Sequence, residues 1–382
     1  MIVRHPFSAL AGAVLVAALA RAAAGAGAIE TAAKQAFIVD YQTGAVLLEK
    51  NADESIHPAS MSKLMTLYLL FERLKDGRMS LDDTLPVSEK AWALNEGSTM
   101  FVGINTQIAV EDLIRGVIVQ SGNDACLVIA EGLAGSEAAF AELMNERGRE
   151  IGLTASHFVN SHGLEDPNHK MTARDLATLA TRIIADFPEY YHYFAEKEFV
   201  FNGIKQGNRN PLLYRNIGAD GLKTGHLSVS GYGITASAER DGRRVIVVAH
   251  GMEGMQSRAD ETTNLIEWAF REFDNYRLVE AGDVLEEAPV WYGQAQTVPL
   301  TVAADLTVTL PRNARKDVRA KAVFDGPIPA PVEAGQQIGK LVISAPNVAD
   351  TEVPLVAGAA VERLGTFGRI VAAVTYLLGG GA

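Results

Sequence analysis

The sequence contains very little cysteine, since Cys126 is the only one among its 382 residues. A single thiol cannot form an intrachain disulfide, and a lone cysteine most often behaves as a small apolar side chain. The fold must therefore be stabilised by packed cores. A chain of this length can form one large domain and a smaller one.

Positive charge is also scarce. The chain has 34 Lys and Arg against 46 Asp and Glu, which gives a formal net charge of -12 at pH 7. A surface with this charge repels a phosphate backbone. We therefore expect no nucleic-acid partner.

Patterns typical of metal or cofactor sites are missing as well. His157, His162 and His169 lie close together in the sequence, but they match neither H-E-x-x-H nor a set of thiol ligands. No glycine-rich loop of the phosphate-binding kind stands out. We predict neither a metal nor a cofactor.

The apolar run near the N-terminus, from Phe7 to Leu19, is too short for a membrane-spanning helix, which needs roughly 20 residues. It follows Arg4, and the small residues Ala26-Gly27-Ala28 are typical of a signal-peptide cleavage site. We predict a signal peptide over 1–28 and export of the rest. An uncleaved N-terminal anchor is the alternative.

The region 29–277 reads as one mixed α/β domain. A hairpin is predicted over 36–49, a helix from Pro58 to Lys75, and mostly helical sequence follows to about Phe187. Strands return at 198–204 and 221–250, where Asp241-Gly242 is a strong hairpin signal. A helix from Ser257 to Phe273, capped by Ser257 and Asp260, closes the unit. We expect strands from both ends of this region to join one sheet, with a helical cluster between them.

The composition changes after about residue 277. Short alternating segments separated by Pro and Gly predict a β-sandwich over 278–358. The region 361–380 is predicted as an amphipathic helix, which either lies in a membrane interface or packs on its own domain. Its apolar positions recur at helical spacing: Leu364, Phe367, Val371, Val374 and Leu378.

Three short motifs, each present once, carry the strongest chemical signal. They are Ser60-x-x-Lys63, Ser121-Gly122-Asn123 and Lys223-Thr224-Gly225. Each alone has an ordinary explanation: a helix cap, a turn, or an exposed strand lysine. Their occurrence together, in this order, favours one active site.

The spacing of the first motif explains the chemistry. Ser60 in the first turn of a helix has Lys63 on the same face. The helix dipole, burial and a second cation at Lys223 would each disfavour the charged form of Lys63. A neutral Lys63 can then take the proton of Ser60 as the hydroxyl attacks a carbonyl.

The other two motifs would border the same cleft. The Ser121 hydroxyl can relay a proton to a leaving amine, and the Asn123 amide can hold a substrate carbonyl. On a strand, Lys223 and Thr224 would face a carboxylate, while Gly225 leaves room for substrate. The backbone N–H groups of Ser60 and His226 are the expected oxyanion donors.

At these residues the sequence resembles the low-molecular-mass penicillin-binding proteins, the D-alanyl-D-alanine carboxypeptidases of peptidase family S11. The resemblance covers 36–277 well and continues less sharply to Arg369. It rests on longer segments around the motifs: Pro58 to Thr66, Ser121 to Cys126, Asn202 to Gln206, Asn208 to Asn210, Asp220 to His226, Val290 to Gly293, Gly335 to Gly339, and Phe367 to Arg369.

The resemblance implies the fold of the penicillin-recognising serine enzymes and an acyl-enzyme route. Ser60 would release the terminal D-Ala of a peptidoglycan pentapeptide, and β-lactam antibiotics would acylate the same serine. Arg258 would bind the substrate carboxylate, Arg209 would support the cleft, and His162 falls on a loop that shapes it. Leu227 departs from the family, whose members commonly carry Thr there.

The resemblance also implies a location and leaves alternatives open. The protein would be periplasmic, attached through its C-terminal helix to the outer face of the inner membrane. A D,D-endopeptidase or a serine β-lactamase is the enzymatic alternative, although a class A β-lactamase would carry S-D-N and end near residue 277. A penicillin-binding scaffold is the non-enzymatic alternative.

Overall fold

The structure of the protein is a computed structural model that describes residues 29–345 and 348–378. The predicted signal peptide, 1–28, lies outside the described residues, as do the last two residues of the predicted terminal helix.

The first part of the chain alternates short strands with a helical cluster and then returns to long strands. Its strands are β1 (Gln35–Asp40), β2 (Val46–Lys50), β3 (Thr84–Pro86), β4 (Gln107–Ala109), β5 (Glu198–Phe201), β6 (Ile204–Gly207), β7 (Ala219–Leu227), β8 (Gly231–Arg240) and β9 (Arg243–Met252). Its α-helices are α1 (Lys63–Lys75), α2 (Glu89–Ala93), α3 (Val110–Arg115), α4 (Asn123–Ala134), α5 (Glu137–Glu150), α6 (Ala173–Asp186) and α7 (Met255–Glu272).

Five of these strands form an antiparallel sheet in the order β2-β1-β9-β8-β7. The N-terminal strand β1 pairs with β9, with Ile38 opposite Val247, so strands from both ends of the region join one sheet as predicted. The turn between β8 and β9 has positive φ at Asp241 and Gly242, as the tight hairpin signal requires. Strand β7 is at the edge of this sheet, and it contacts the turn Ala59–Ser62 that precedes α1.

Helices cover both faces of the sheet. On one face α6 packs against β1 and β9, α1 packs on α6 and α4, and their shared core contains Phe37, Leu70 and Val248. On the other face α7 packs on β8 and β9. Every residue of α1 from Lys63 to Phe71 is buried, because this helix is surrounded by its neighbours. Burial of so much apolar surface fixes the helix, and with it the position of Lys63.

The predicted cap of α7 is wrong. The helix begins at Met255 after Gly254, and no side chain caps it. Ser257 lies inside the helix and not before it, and the Asp260 carboxylate accepts from Arg215 at 2.6 Å. The apolar residues Leu265, Ile266 and Ala269 of α7 are buried, and Phe273 starts the next strand rather than ending the helix.

The remaining described residues form a β-rich part that begins at Phe273, slightly before the predicted limit of 277. Its strands are β10 (Phe273–Val279), β11 (Glu286–Trp291), β12 (Thr297–Thr301), β13 (Leu306–Pro311), β14 (Arg319–Phe324), β15 (Ile328–Pro329), β16 (Gln337–Ala345) and β17 (Val348–Ala357). They form a six-stranded sheet, β14-β16-β17-β12-β11-β15, and the pair β10-β13. Both sheets contribute to one core, including Leu310, Leu341 and Leu355, as in a sandwich.

The terminal helix α8 (Thr366–Leu378) begins later than the predicted residue 361. Val361 is buried and pairs with Val332, so this part of the chain still belongs to the β-rich unit. Leu364 therefore precedes the helix. Among the helices of the described residues, none has the length and apolar character needed to cross a bilayer.

Candidate active site

A cavity of about 570 Å³ opens where the edge strand β7 meets the start of α1. The turn before α4 and the loop 160–164 form its other sides, and Arg258 reaches it from α7. No Asp or Glu is among the described residues that line it, which are Ser60, Gly97, Ser98, Ser121, Asn123, His162, Gly163, Leu164, Arg209, Thr224, Gly225, His226, Leu227, Tyr232, Met255 and Arg258.

Ser60 and Lys63 meet at the floor of this cavity. Ser60 lies in a helical turn, Ala59–Ser62, immediately before α1 and is half-buried, whereas Lys63 is completely buried. The Lys63 Nζ atom lies 2.9 Å from the Ser60 Oγ atom. It also donates to Asn123 Oδ1 at 2.7 Å and to the backbone carbonyl of His162.

These contacts define what Lys63 can do in each protonation state. As an ammonium it donates three hydrogen bonds, one of them to Ser60. As a neutral amine it keeps two donors for Asn123 and His162, and its lone pair faces the Ser60 hydroxyl. This is the arrangement a general base needs, with the proton to be taken within hydrogen-bond distance.

Burial lowers the pKa of Lys63 to about 8, with the positive charge of Arg209 acting in the same direction and Asp124 opposing. The sequence analysis predicted a contribution from Lys223, but the shift comes chiefly from burial, and the contributing cation is Arg209 rather than Lys223. Lys223 has its own pKa lowered well below the usual value by burial and by the charge of Lys63. The two lysines do lie close together, as the sequence predicted.

The third motif lies on β7, but its three residues differ in access to the cavity. Thr224 lines it, whereas the Lys223 ammonium lies underneath, where it donates to the Thr224 carbonyl at 3.3 Å. Gly225 also lines the cavity. The structure adds a second reason for a glycine here, because a Cβ would lie 2.8 Å from the Pro58 carbonyl oxygen, so the missing side chain lets the turn with Ser60 pack on β7.

The second motif joins a helical turn, Gly116–Gln120, to α4. Ser121 adopts the left-handed conformation at this junction, with φ of 64° and ψ of 33°, and lines the cavity. Asn123 is held at both ends of its amide, since Oδ1 accepts from Lys63 and Nδ2 donates to the Glu96 carbonyl at 2.8 Å. At most one N–H of this amide is then left for the predicted substrate carbonyl.

Arg258 reaches the cavity without a carboxylate partner among the described residues. Its side chain is buried over the ring of Tyr232, and its Nε atom is buried with no hydrogen-bond partner in the same part of the chain. Burial lowers its pKa to about 10, and the charge of Arg209 adds to this. A buried guanidinium that is not paired with a carboxylate within the described structure is suited to binding one from a ligand.

The other predicted residues surround this group. Arg209 lies at the exposed rim and donates to Ser98 Oγ at 2.5 Å. His226 stacks on Tyr232, with ring centroids 4.0 Å apart, and Leu227 lines the cavity with no hydroxyl to offer. His162 contacts Lys63 through its backbone carbonyl, so its contribution does not need its ring to touch a substrate.

Two carboxylates behind the site were missed by the sequence analysis. Asp124 accepts from the backbone N–H groups of Met100, Phe101 and Val102, and so holds the segment that contains Gly97 and Ser98. Glu137 accepts from the ring of His162. The position of Asp124 directly after the second motif could have pointed to its role. Nothing local in the sequence connects Glu137 with residue 162.

The fold and this site define a class. A serine within hydrogen-bond distance of a lysine three residues later, at the start of a buried helix beside an antiparallel sheet, is the arrangement of the penicillin-recognising serine enzymes. Two family models match the chain: D-alanyl-D-alanine carboxypeptidase over residues 20–254, and the C-terminal domain of penicillin-binding protein 5 over residues 273–363.

Individual proteins agree with these matches. The chain is 41% identical to D-alanyl-D-alanine carboxypeptidase DacA of Haemophilus influenzae, over 80% of this chain and 79% of that protein. It is 38% identical to DacC of Escherichia coli K12, over 87% of this chain and 85% of that protein. The crystal structure of penicillin-binding protein 5 from Haemophilus influenzae superposes with a TM-score of 0.82 at 38% identity, over 89% of this chain and 100% of that one.

A shorter relative has been solved with an antibiotic. Penicillin-binding protein D2 of Listeria monocytogenes, in its ampicillin-bound form, matches with a TM-score of 0.58 at 28% identity, over 64% of this chain and 99% of that one. The chain therefore belongs to the D-alanyl-D-alanine carboxypeptidase family, S11, of the low-molecular-mass penicillin-binding proteins.

Proposed function

We propose that this protein removes the terminal D-Ala from peptidoglycan stem peptides through an acyl-enzyme on Ser60. The observation that carries the proposal is the contact of Ser60 Oγ with the buried amine of Lys63 at 2.9 Å, inside a cavity whose charged lining residues are cationic. The family to which the chain belongs has this activity in its name.

Acylation would begin with neutral Lys63. Its lone pair takes the Ser60 proton as Oγ attacks the carbonyl carbon of the penultimate D-Ala. The backbone N–H groups of Ser60 and His226 are the proposed donors to the resulting oxyanion. The C–N bond then breaks, and the proton held by Lys63 returns to the leaving amine, with the Ser121 hydroxyl as the proposed relay.

Deacylation would use the same groups in reverse. A water molecule loses its proton to Lys63 and attacks the ester carbonyl. The C–O bond to Ser60 breaks, and Oγ recovers a proton from Lys63. The products are the shortened peptide and the free enzyme. A β-lactam would acylate Ser60 in the same way, and the ampicillin-bound relative supports this.

Substrate binding would be dominated by the terminal carboxylate. Arg258 offers a buried guanidinium that has no carboxylate partner among the described residues, and Thr224, which also lines the cavity, offers a hydroxyl. Lys223 and Arg209 add positive potential from below and from the rim. We propose that these residues select peptides with a free C-terminus.

Release of D-Ala tests the reaction. Purified protein is incubated with a pentapeptide and, separately, with a cross-linked peptide dimer, and the free amino acid and the monomer are quantified. Faster release from the pentapeptide is expected, with loss of both activities in Ser60→Ala. Faster cleavage of the dimer would favour the endopeptidase, rapid hydrolysis of penicillin a β-lactamase, and no turnover with intact penicillin binding a scaffold.

We also propose the order of domains and the location that the sequence predicted, with limits moved to those of the structure. These are a signal peptide over 1–28, a catalytic domain from residue 29 to the end of α7, a β-rich domain from Phe273 to Val361, and a periplasmic protein docked on the inner membrane by its C-terminal helix. The apolar side chains of Phe367, Ile370 and Val374 on α8 are exposed, with Phe367 81% exposed, which supports contact with lipid.

Docking can be tested without disturbing the β-rich unit. Removal of residues 366–382, or the double substitution Phe367→Ser with Ile370→Ser, should release the protein from sedimented membranes. Because Val361 is buried, the truncation starts after it. Unchanged sedimentation of the folded variants would contradict the membrane proposal.

A further inference from the structure

Glu137 lies outside the cavity but is connected to it. It is in the first turn of α5, after the capping residue Ser136, and its side chain is only 14% exposed. Its Oε1 atom accepts from the backbone N–H of Ser161 at 3.2 Å, from the Ser161 hydroxyl at 3.0 Å and from the ring of His162 at 3.1 Å. Its Oε2 atom pairs with Lys90 at 3.1 Å.

The ring of His162 is fixed from both sides. Its Nε2 atom faces Glu137, and its Nδ1 atom accepts from the backbone N–H of Leu164 at 3.2 Å. Only a neutral imidazole with its proton on Nε2 satisfies both contacts. The carboxylate therefore determines both the orientation of the ring and its tautomer.

The backbone of the same residue contacts the catalytic lysine. The His162 carbonyl accepts from Lys63 Nζ, and the preceding Ser161 carbonyl accepts from Thr66 Oγ1 at 2.6 Å. Gly163 then packs so closely on the turn with Ser60 that a Cβ would lie 2.1 Å from the Ala59 carbonyl oxygen. The loop 160–164 thus covers Lys63 and supplies one of its three acceptors.

The carboxylate of Glu137 is ionised throughout the working range. Burial raises its pKa, but hydrogen bonds from the His162 ring, the Ser161 N–H and Lys90 outweigh this and bring the pKa to about 2. Other titratable groups that face this cluster are Lys63 from α1 and His169, which lies after the loop 160–164 in the sequence.

We propose that Glu137 is a positioning residue for acylation, which acts through Ser161 and His162 to hold the loop 160–164 closed over Lys63. This inference rests on the proposed function, because it concerns the rate at which Ser60 is acylated. It assigns no contact between Glu137 and the substrate, since Glu137 does not line the cavity.

Loss of the contacts of Glu137 with Ser161 and His162 should change the pKa of Lys63 in a predictable direction. If the loop loosens, water reaches Lys63, and because burial is the main cause of its lowered pKa, the pKa should rise. The midpoint of the acylation pH profile should then move to higher pH. Simple loss of a nearby negative charge would do the opposite, because it would make the ammonium less favourable.

The test compares full-length variants by the second-order rate of labelling with a fluorescent penicillin, between about pH 6 and about pH 10. Glu137→Ala should slow labelling about tenfold near neutral pH and raise the midpoint. His162→Leu keeps the charge of Glu137 but removes the connection, and should shift the midpoint in the same direction. Glu142→Ala, which removes an exposed carboxylate on the same helix, is the matched control and should match the wild type.

Each result of this experiment either supports or overturns the proposed role of Glu137. A wild-type midpoint in folded Glu137→Ala, whatever its rate, or a midpoint moved to lower pH, would overturn the proposal. If Glu137→Ala fails to fold, the midpoint of His162→Leu decides in the same way. If the wild-type protein and the control Glu142→Ala are both not labelled, the proposed function is refuted. This result is distinguishable from a defect confined to Glu137→Ala.

Discussion

The Nζ atom of Lys63 lies 2.9 Å from the Oγ atom of Ser60, and the lysine is wholly buried while the serine remains open to the cavity. The two groups differ in access although they are three residues apart, because the first belongs to the buried helix α1 and the second to the turn before it. A substrate carbonyl can therefore reach the Ser60 hydroxyl, while Lys63 remains shielded from water and its pKa stays low.

Replacing the base with a permanent cation should stop the reaction. In Lys63→Arg the guanidinium stays protonated at any working pH, so no base is available to accept the hydroxyl proton of Ser60. We expect acylation by penicillin to fall by about 10²-fold to 10⁴-fold, the usual contribution of a positioned general base. Stopped-flow labelling measures this, and a folded variant with near wild-type rates would contradict the role of Lys63.

Loss of the unpaired guanidinium should weaken recognition of the substrate carboxylate. For Arg258→Ala we expect kcat/KM for a pentapeptide to fall about 10-fold to 100-fold, as for a lost hydrogen bond to a charged group. The control is Arg271→Ala, an exposed arginine on the same helix that is paired with Glu272. The wild type should discriminate against a peptide with an amidated C-terminus, and Arg258→Ala should not. Retained discrimination would show that another residue binds the carboxylate.

The close approach at Gly163 should tolerate no side chain. Its φ is +80°, and an added Cβ would lie 2.1 Å from the Ala59 carbonyl oxygen and 2.6 Å from Ser62 Oγ. Gly152 provides the control, because it also has positive φ, at +93°, but its nearest neighbour would be 4.0 Å away. Gly152→Ala should lose only the cost of a left-handed alanine, about 1–2 kcal/mol in the free energy of unfolding.

Gly163→Ala should lose more stability than this control and should also be acylated more slowly, because the loop over Lys63 is displaced. Denaturant unfolding and penicillin labelling measure the two effects. Equal stability losses at the two glycines, with normal labelling, would mean that the loop moves aside freely.

Asp124 should be needed for the segment that carries Gly97 and Ser98. Its carboxylate accepts from three consecutive backbone N–H groups, of Met100, Phe101 and Val102. In Asp124→Asn one oxygen becomes an NH₂ group that cannot accept, which should cost about 1–3 kcal/mol in the free energy of unfolding. Amide exchange in residues 98–102 should accelerate, whereas Asp112→Asn, on α3, should leave it unchanged. Unaltered exchange in a stable Asp124→Asn would contradict this role.

The sequence was informative wherever a local pattern determines local structure. The Asp241-Gly242 hairpin, the buried helix after Pro58 and the pairing of terminal strands followed from periodicity and turn residues. The motifs around Ser60, Ser121 and Lys223 could be assigned to one site because their chemistry is complementary. The structure brings these residues together, as the sequence predicted.

What could not be predicted depends on packing between distant segments. The sequence predicted room for substrate at Gly225, but it did not show that the missing side chain also lets the Pro58 carbonyl of another element approach β7. Glu137 and His162 come from separate elements, so no spacing rule connects them. The start of α8 was placed too early because the pairing of Val361 with Val332 leaves no local signal.

The pH dependence of acylation tests the central claim, that a neutral Lys63 activates Ser60. The pKa of Lys63 is lowered to about 8, and only its deprotonated form can accept the serine proton. The second-order rate of penicillin labelling should therefore rise about tenfold per pH unit below this value and level off above it. A rate that does not change between about pH 6 and about pH 9 would contradict the account.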